Sequence, residues 1–286
     1  MIPKHVLNAT DQLLKVVCNN NFPFGGKVNL FCGNFRQILP VVKRGKLAEI
    51  VESCIKCSLQ WHWEEVPYKG CIETPEQCII IENESVVEKI YGDAQQDDYA
   101  KREILTPFNV DSLSINEEVL ERLHGEVKTY LSVDQLEADY FNKINNFPVE
   151  FLNSLTPSGI PTHCSKLKIS CVFTLLKNLD LKAGLCNGTR MKVCALQNIF
   201  INAVVLTVVS EGKRVFVPRY KLAPSDSNLP FALKRRQFPV RLAYSMTINK
   251  SQGQTFDRVD VSLKKQCFSH GQLYVARSRT CAFNSF

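Results

Sequence analysis

From residue 147 to about 225 the chain is written in short apolar, β-branched runs, and this block constrains the fold more than any other feature. The runs are 167–176, 190–196, 199–209 and 214–217. Turns rich in Gly and Asn separate them, among them GLCNG at 184–188 and Glu211-Gly212. Short strands at such spacing predict a small β-barrel rather than a helical or doubly wound domain. Both flanks read differently. Upstream, residues 4–18 have helical spacing, 27–33 reads as a buried strand, 46–59 as a helix, and ILTP at 104–107 as a strand leading into a helix over 112–123. Ser114 and Glu117 are spaced like a capping box there. Downstream, an apolar segment at 243–248 precedes a polar loop, a strand over 258–263 and a helix over 270–277. The chain therefore predicts an α/β protein interrupted by an all-β module over 148–225. Residues 60–100, acidic and weakly patterned, read as a connector.

Charge divides the same way. Residues 1–150 carry 15 Lys+Arg against 23 Asp+Glu, a net of −8; residues 151–286 carry 20 against 5, a net of +15. So basic a half points to a polyanion, because Lys and Arg gain affinity by displacing counterions from phosphates. No run of about 18 apolar residues predicts a membrane span, and the amphipathic N-terminus has neither the apolar core nor the cleavage site of a secretory signal. Most of the 12 cysteines stand alone in apolar strands, where a thiol acts as a small hydrophobe. Cys54 and Cys57, followed by Cys71 and Cys78, have the wrong second spacing for a zinc ribbon, so no metal site is expected.

Three polar clusters carry the chemistry. NKSQGQT at 249–255 places a lysine, a hydroxyl and an amide beside a glycine, where a tight turn lets Ser251, Thr255 and backbone N–H groups reach phosphate oxygens. Arg277 and Arg279, at the end of the last helix, present planar forks suited to phosphate. Gly33-Asn34-Phe35-Arg36-Gln37 closes the 27–33 strand at its carboxyl edge, where open α/β sheets bind ligands. A fourth group, Lys234, Arg235, Arg236 and Arg241 with Phe231 and Phe238 interleaved, suits a single strand held by charge and base stacking.

In this order and at these separations, GNFRQ, NKSQGQT and YVARSR resemble motifs III, V and VI of superfamily-one helicases. The longer stretches FGGKVNLFCGNFRQILPVVKRG (24–45), LKAGLCNGTRMKV (181–193) and LPFALKRRQFPVRLAYSMTINKSQGQTFDRV (229–259) resemble the Pif family, in its Helitron-associated branch. That resemblance implies RecA-like motor domains with an inserted small SH3-like β-barrel. It divides the chain into a remnant of the first motor domain (1–60), a connector (61–100), the second motor domain (101–147 and 226–286) and the barrel (148–225). It implies ATP-dependent 5′-to-3′ unwinding with ATP and Mg²⁺ as cofactors, single-stranded or forked DNA as partner, no membrane, and a nuclear or mitochondrial site. Gln37 then corresponds to the γ-phosphate sensor and Arg279 to the arginine finger, the two catalytic assignments. Gln252 and Gly253 join them at the nucleotide. Lys250, Ser251, Thr255, Arg235, Arg236 and Arg241 fall to DNA.

The departures qualify that activity. No G-x-x-x-x-G-K-[ST] occurs in the chain; Gly25-Gly26-Lys27-Val28 lacks both the upstream glycine and the hydroxyl that holds Mg²⁺. The family's Asp-Glu pair belongs just upstream of Ile2-Pro3-Lys4-His5, where the sequence begins. Trp61 runs into His62-Trp63-Glu64-Glu65 without the family's Asn-Met-Arg motif. The expectation is a helicase fragment, lacking the N-terminal motor half and inactive alone. The alternatives are a non-enzymatic single-strand-binding module or a decayed transposon-derived copy.

Overall fold

The computed structural model describes residues 3–29, 40, 42, 46–54, 57–58, 85–92, 98–136, 147–157, 159–207, 210–224, 229, 231–269 and 271–280. The expected strand at 27–33 and the cluster ending in Gln37 fall largely or wholly outside them.

Helix α1 spans Lys4–Val17. It ends at a turn where Gly25, at φ 62°, approaches so closely that a Cβ would lie 2.4 Å from the Leu14 carbonyl oxygen. Only glycine accepts both that approach and that backbone. Helix α2 (Leu47–Glu52) is shorter than its apolar spacing predicts. The chain turns at Ser53 to bridge back to residue 3: the Lys4 amide donates to the Ser53 carbonyl at 2.8 Å.

The 61–100 stretch holds more than a connector. Helix α3 (Val86–Tyr91) starts on a Ser85 side-chain cap and buries Val87, Ile90 and Tyr91. It lies against strand β1 (Arg102–Thr106), the centre of a three-stranded parallel sheet in the order β12–β1–β13, with β12 at Ser245–Thr247 and β13 at Arg258–Val261. Parallel strands need long crossovers, and here the crossover from β1 to β12 contains helix α4 (Asn109–Arg122) and the whole β-rich block. Helix α4 has Phe108 at its N-cap and no side-chain cap, so Ser114 is an exposed mid-helix residue rather than the expected capping hydroxyl. Buried Asn116 of α4 secures β12: its Oδ1 accepts from the Tyr244 and Ser245 amides and its Nδ2 donates to the Ser245 carbonyl.

The block itself contains β4 (Cys164–Leu167), β5 (Val172–Leu175), β6 (Arg190–Leu196), β7 (Phe200–Val205), β8 (Arg214–Pro218) and β9 (Tyr220–Leu222). The apolar run at 167–176 is two strands, broken where Ser170 takes φ 66°. A five-stranded antiparallel sheet runs β11–β5–β6–β7–β8, and its first strand, β11 (Val240–Leu242), comes from beyond residue 225. Strand β4 pairs with β2 (Lys128–Leu131), and β9 joins β10 (Leu233–Gln237) and β3 (Val133–Leu136). The β-rich block therefore borrows edges from both flanks. Its inner residues Phe173, Met191, Ile201 and Val217 form one continuous core with Ile104, Val119 and Tyr244 from the parallel-sheet side. A second cluster around Leu152 (in helix α5, Val149–Ser154), Ile160, Phe231 and Leu233 packs on the antiparallel three-stranded sheet β3–β10–β9. Among the described residues no helix is long and apolar enough to cross a membrane.

Candidate nucleic-acid interface

The residues 249–255 form the turn between β12 and β13. Ile248 and Phe256, at its two ends, are buried with Leu105, Val259, Val275 and Ala276. Apolar anchors thus fix both ends while Gln252, Gly253 and Thr255 stay exposed. Gly253 has φ 84° with open space where a Cβ would stand, so the requirement for glycine is conformational rather than steric. Ser251 departs from expectation. It is fully buried, and its hydroxyl donates to the Ile248 carbonyl at 2.8 Å, so it shapes the turn and does not face a ligand.

The last helix, α6 (Gln272–Arg277), grips this turn at both ends. Buried Gln272 donates from Nε2 to the Asn249 Oδ1 at 2.9 Å, and its Oε1 accepts from the Phe268 and Ser269 amides. Past the helix, Arg279 donates from Nη1 to the Ser251 and Gln254 carbonyls (3.2 and 3.1 Å), from Nε to the Val275 carbonyl and from Nη2 to the Ser278 hydroxyl. Its own carbonyl accepts from the Phe256 amide. Here Arg279 clamps the loop rather than pointing at an open cleft. The sequence motifs mark the loop and the arginine but not that one holds the other, and they assign Gln272 no role. A buried glutamine at a helix start has no sequence signature that separates it from an exposed one.

Of the cations assigned to DNA, two come together. Arg241 is partly buried, donates to the Ile160 carbonyl at 3.3 Å, and is held below the usual guanidinium range by desolvation. Lys250 is exposed but crowded: desolvation first, and then repulsion from Arg241, pull it down to about 8. Among the described residues neither is in an ion pair, so no described carboxylate neutralises their mutual repulsion.

The neighbouring pair splits. Arg236 is exposed on the outer face of β10, opposite Lys221 of β9. Arg235 points inward and is fully buried. All five of its N–H groups are used, on Asp134 (2.5 to 3.1 Å) and on the carbonyls of Leu152, Leu155 and Pro161. Arg235 is therefore a structural strut, not a DNA contact. Phe231 and Phe238 are also core residues, at 4% and 0% exposure, with Phe238 under the Arg219 guanidinium. Neither ring can take a base.

Beneath the loop lies an ion pair that the sequence did not mark. Glu103, the second residue of β1, accepts from Arg190 of β6 at 2.8 Å, and both are buried. Arg190 also donates to the Ala243 carbonyl and lies over the Phe256 ring at 5.2 Å. Desolvation, only partly offset by Arg190, pushes Glu103 up to about 7. The Glu103 Oε1 and the Arg190 Nε have no hydrogen-bond partner.

The sequence contains no G-x-x-x-x-G-K-[ST]. Among the described residues Arg279 is spent on loop carbonyls and no group of three or more metal-binding side chains occurs, so those residues do not by themselves form a nucleotide or metal site. Cys54 is buried and Cys57 is exposed; Cys71, Cys78 and Gln37 lie outside the described residues.

Two family models match this chain: the PIF1-like helicase model over residues 1–68 and the Pif1 helicase 2B-domain model over 150–196. The human ATP-dependent DNA helicase PIF1 is 25% identical over 298 residues, covering 98% of this chain and 43% of that protein. The Pif1 of Bdellovibrio bacteriovorus is 27% identical, covering 98% of this chain and 62% of that protein. The chain thus spans less than two thirds of each of these relatives. Among solved structures, two coordinating Pif1 helicases on forked dsDNA give a TM-score of 0.62 at 24% identity, over all of this chain and 66% of theirs. A Bacteroides Pif1 bound to ssDNA gives 0.61 at 23%, over all of this chain and 67% of that one. At that identity the likeness establishes the fold alone: a mixed α/β, RecA-like fold.

Proposed function

Because the chain belongs to the Pif1-like helicases, we propose that it is a DNA-gripping portion of an ATP-dependent DNA helicase, binding single-stranded or forked DNA without hydrolysing ATP on its own. The observation that carries this reading is the Arg241–Lys250 pair. Two crowded cations with no described carboxylate partner cost free energy that a phosphate would relieve. The exposed Gln252, Gly253 and Thr255 beside them add polar reach along a DNA backbone. Arg236 extends the grip on the β3–β10–β9 sheet. In this reading 148–225 serves as the inserted barrel, 101–147 and 226–286 as the second motor domain, and 1–60 as part of the first. Gln37 and Arg279 would meet a γ-phosphate only beside a motor half that brings a phosphate loop, with Arg279 exchanging its loop carbonyls for the nucleotide. ATP and Mg²⁺ belong to that completed motor, at work on nuclear or mitochondrial DNA.

The experiment is fluorescence anisotropy of the chain with a labelled oligo(dT). A phosphate pairs with protonated Lys250, so affinity falls several-fold as pH rises from 7 to 8.5 at fixed ionic strength. Lys250→Met removes that step and Arg241→Ala weakens binding throughout. Wild-type affinity that is independent of both residues and of pH would exclude the site.

A further inference from the structure

The sequence nominated Phe231 and Phe238 as base-stacking rings, and the fold buries both. It brings a different pair to the surface, Phe216 exposed and Phe200 half-buried. On the outer face of the five-stranded sheet, Phe200 of β7 and Phe216 of β8 meet edge to face, ring centroids 5.1 Å apart and planes at 86°. Phe216 is 64% exposed, and Ile199 beside Phe200 is 74% exposed. Single exposed apolar residues are ordinary, but a contiguous aromatic patch on a sheet face marks an interaction surface.

The register says what surrounds it. Asn202 lies opposite Phe216, Phe200 opposite Pro218, and Val204 opposite Arg214. Strand β6 adds Lys192 opposite Val204 and Ala195 opposite Asn202. The outer face is thus laid out in cross-strand rows: Lys192–Val204–Arg214, then Ala195–Asn202–Phe216, then Phe200–Pro218. Rows are two residues apart, about 7 Å. A cationic row therefore stands beside an aromatic one at roughly the separation of a base from its own backbone, and no row contains a carboxylate. Glu211 belongs to the β7–β8 turn. Residues 148–225 carry ten Lys+Arg against three Asp+Glu, a net of +7. A protein partner has no need of this charge, whereas a polyanion with π-faces matches both rows at once.

We propose that the Phe216–Phe200 face of this sheet, flanked by Arg214, is a stacking platform for the bases of single-stranded DNA, separate from the Arg241–Lys250 phosphate site. Phe216 offers its ring to a base, Phe200 braces that ring from its edge, and Arg214 meets the neighbouring phosphate. The platform rests on the reading that the chain binds DNA, and it supplies a term that phosphate contacts lack, a preference for strands that carry bases.

The test compares oligo(dT) with an abasic strand of the same length and charge, using the full chain. Wild type is expected to prefer oligo(dT) about tenfold or more. Phe216→Ala should erase the preference, Phe216→Trp should keep it, and Arg214→Ala should weaken both strands alike. Ultraviolet cross-linking of 5-iodouracil-substituted DNA should map to Phe216 or Phe200. Because the ring is exposed, the alanine variant should fold, and the tryptophan variant controls for that. Equal binding of the two strands by wild type would overturn the platform while leaving the phosphate site intact. A preference unchanged in Phe216→Ala would do the same. Binding of neither strand would overturn the functional reading and the platform with it. Self-association in sedimentation velocity that Phe216→Glu abolishes would assign the face to a second copy instead.

Discussion

Glu103 shows how one carboxylate can make folding depend on pH. It is sealed between the parallel sheet and the β-rich block, its only charged partner being Arg190 among the described residues. With a folded value of about 7 against 4.5 for the free group, it binds a proton on folding between those limits. The folded state then holds more protons than the unfolded one, so stability is greatest below pH 4.5 for this group and is lost as pH rises to 7. Glu103→Gln should flatten that slope between pH 5 and 7.5 relative to wild type in urea melts. Arg190→Met should cost about 3–5 kcal/mol at pH 8, because it strands a buried charge. The loss should be smaller at pH 5, where the glutamate is protonated. A variant equally destabilised at both pH values would show that packing, not charge, is what Arg190 provides.

The Arg235 and Arg236 neighbours make the same point about surfaces. Strand β10 alternates, with Leu233, Arg235 and Gln237 inward and Lys234 and Arg236 on the other face. Two of the three inward residues are polar, so the usual alternation of apolar and polar residues is absent and a linear reading takes both arginines for a basic patch. Their variants should separate cleanly. Arg236→Ala is expected to change stability by no more than about 0.5 kcal/mol while weakening DNA binding. Arg235→Ala is expected to cost about 3–5 kcal/mol by leaving Asp134 buried and unpaired. Urea unfolding of the two variants, alongside anisotropy, decides it.

At the scale of elements, the loop at 249–255 and helix α6 behave as one unit. The helix has only six residues and no side-chain cap, too short to be stable by itself. What holds it are Val275 and Ala276 in the apolar cluster and the Gln272 and Arg279 bonds to the loop. Arg279→Ala removes the contacts to Ser251 and Gln254. Amide exchange at 251–256 should then accelerate by about tenfold or more, at roughly 1 kcal/mol or more for each net bond lost, while β1 and β6 exchange as before. Exchange that rises uniformly would mean global destabilisation instead. The motif made the loop legible in sequence, and the Gly and Asn turns made the short strands legible. What stayed hidden was assembly across distance. Strands β2 and β11 complete sheets whose other members lie far off in sequence, and α3 hides in an acidic stretch because only three of its residues are inward-facing. Local pattern reports which residues can make a strand, not which strand will take them as a neighbour.

For the whole molecule, charge and fold combine in one measurable quantity. The basic half is folded so that Arg241 and Lys250 share one site, Arg236 lies on the outer face of the three-stranded sheet, and Arg214 lies on the outer face of the five-stranded one. If about four such phosphate contacts form, log affinity for a single strand falls with log salt at a slope near −2.8. Raising monovalent salt from 50 to 150 mM should then weaken binding roughly twentyfold. Removing any one of the four cations should lower the slope by about 0.7, whereas Phe216→Ala should lower affinity with the slope unchanged. ATP with Mg²⁺ should alter neither the slope nor the affinity, because the sequence contains no G-x-x-x-x-G-K-[ST] and Arg279 is committed to the Ser251 and Gln254 carbonyls. A slope near zero would place DNA elsewhere or nowhere. Turnover of ATP stimulated by single-stranded DNA would show that these residues assemble a nucleotide site after all.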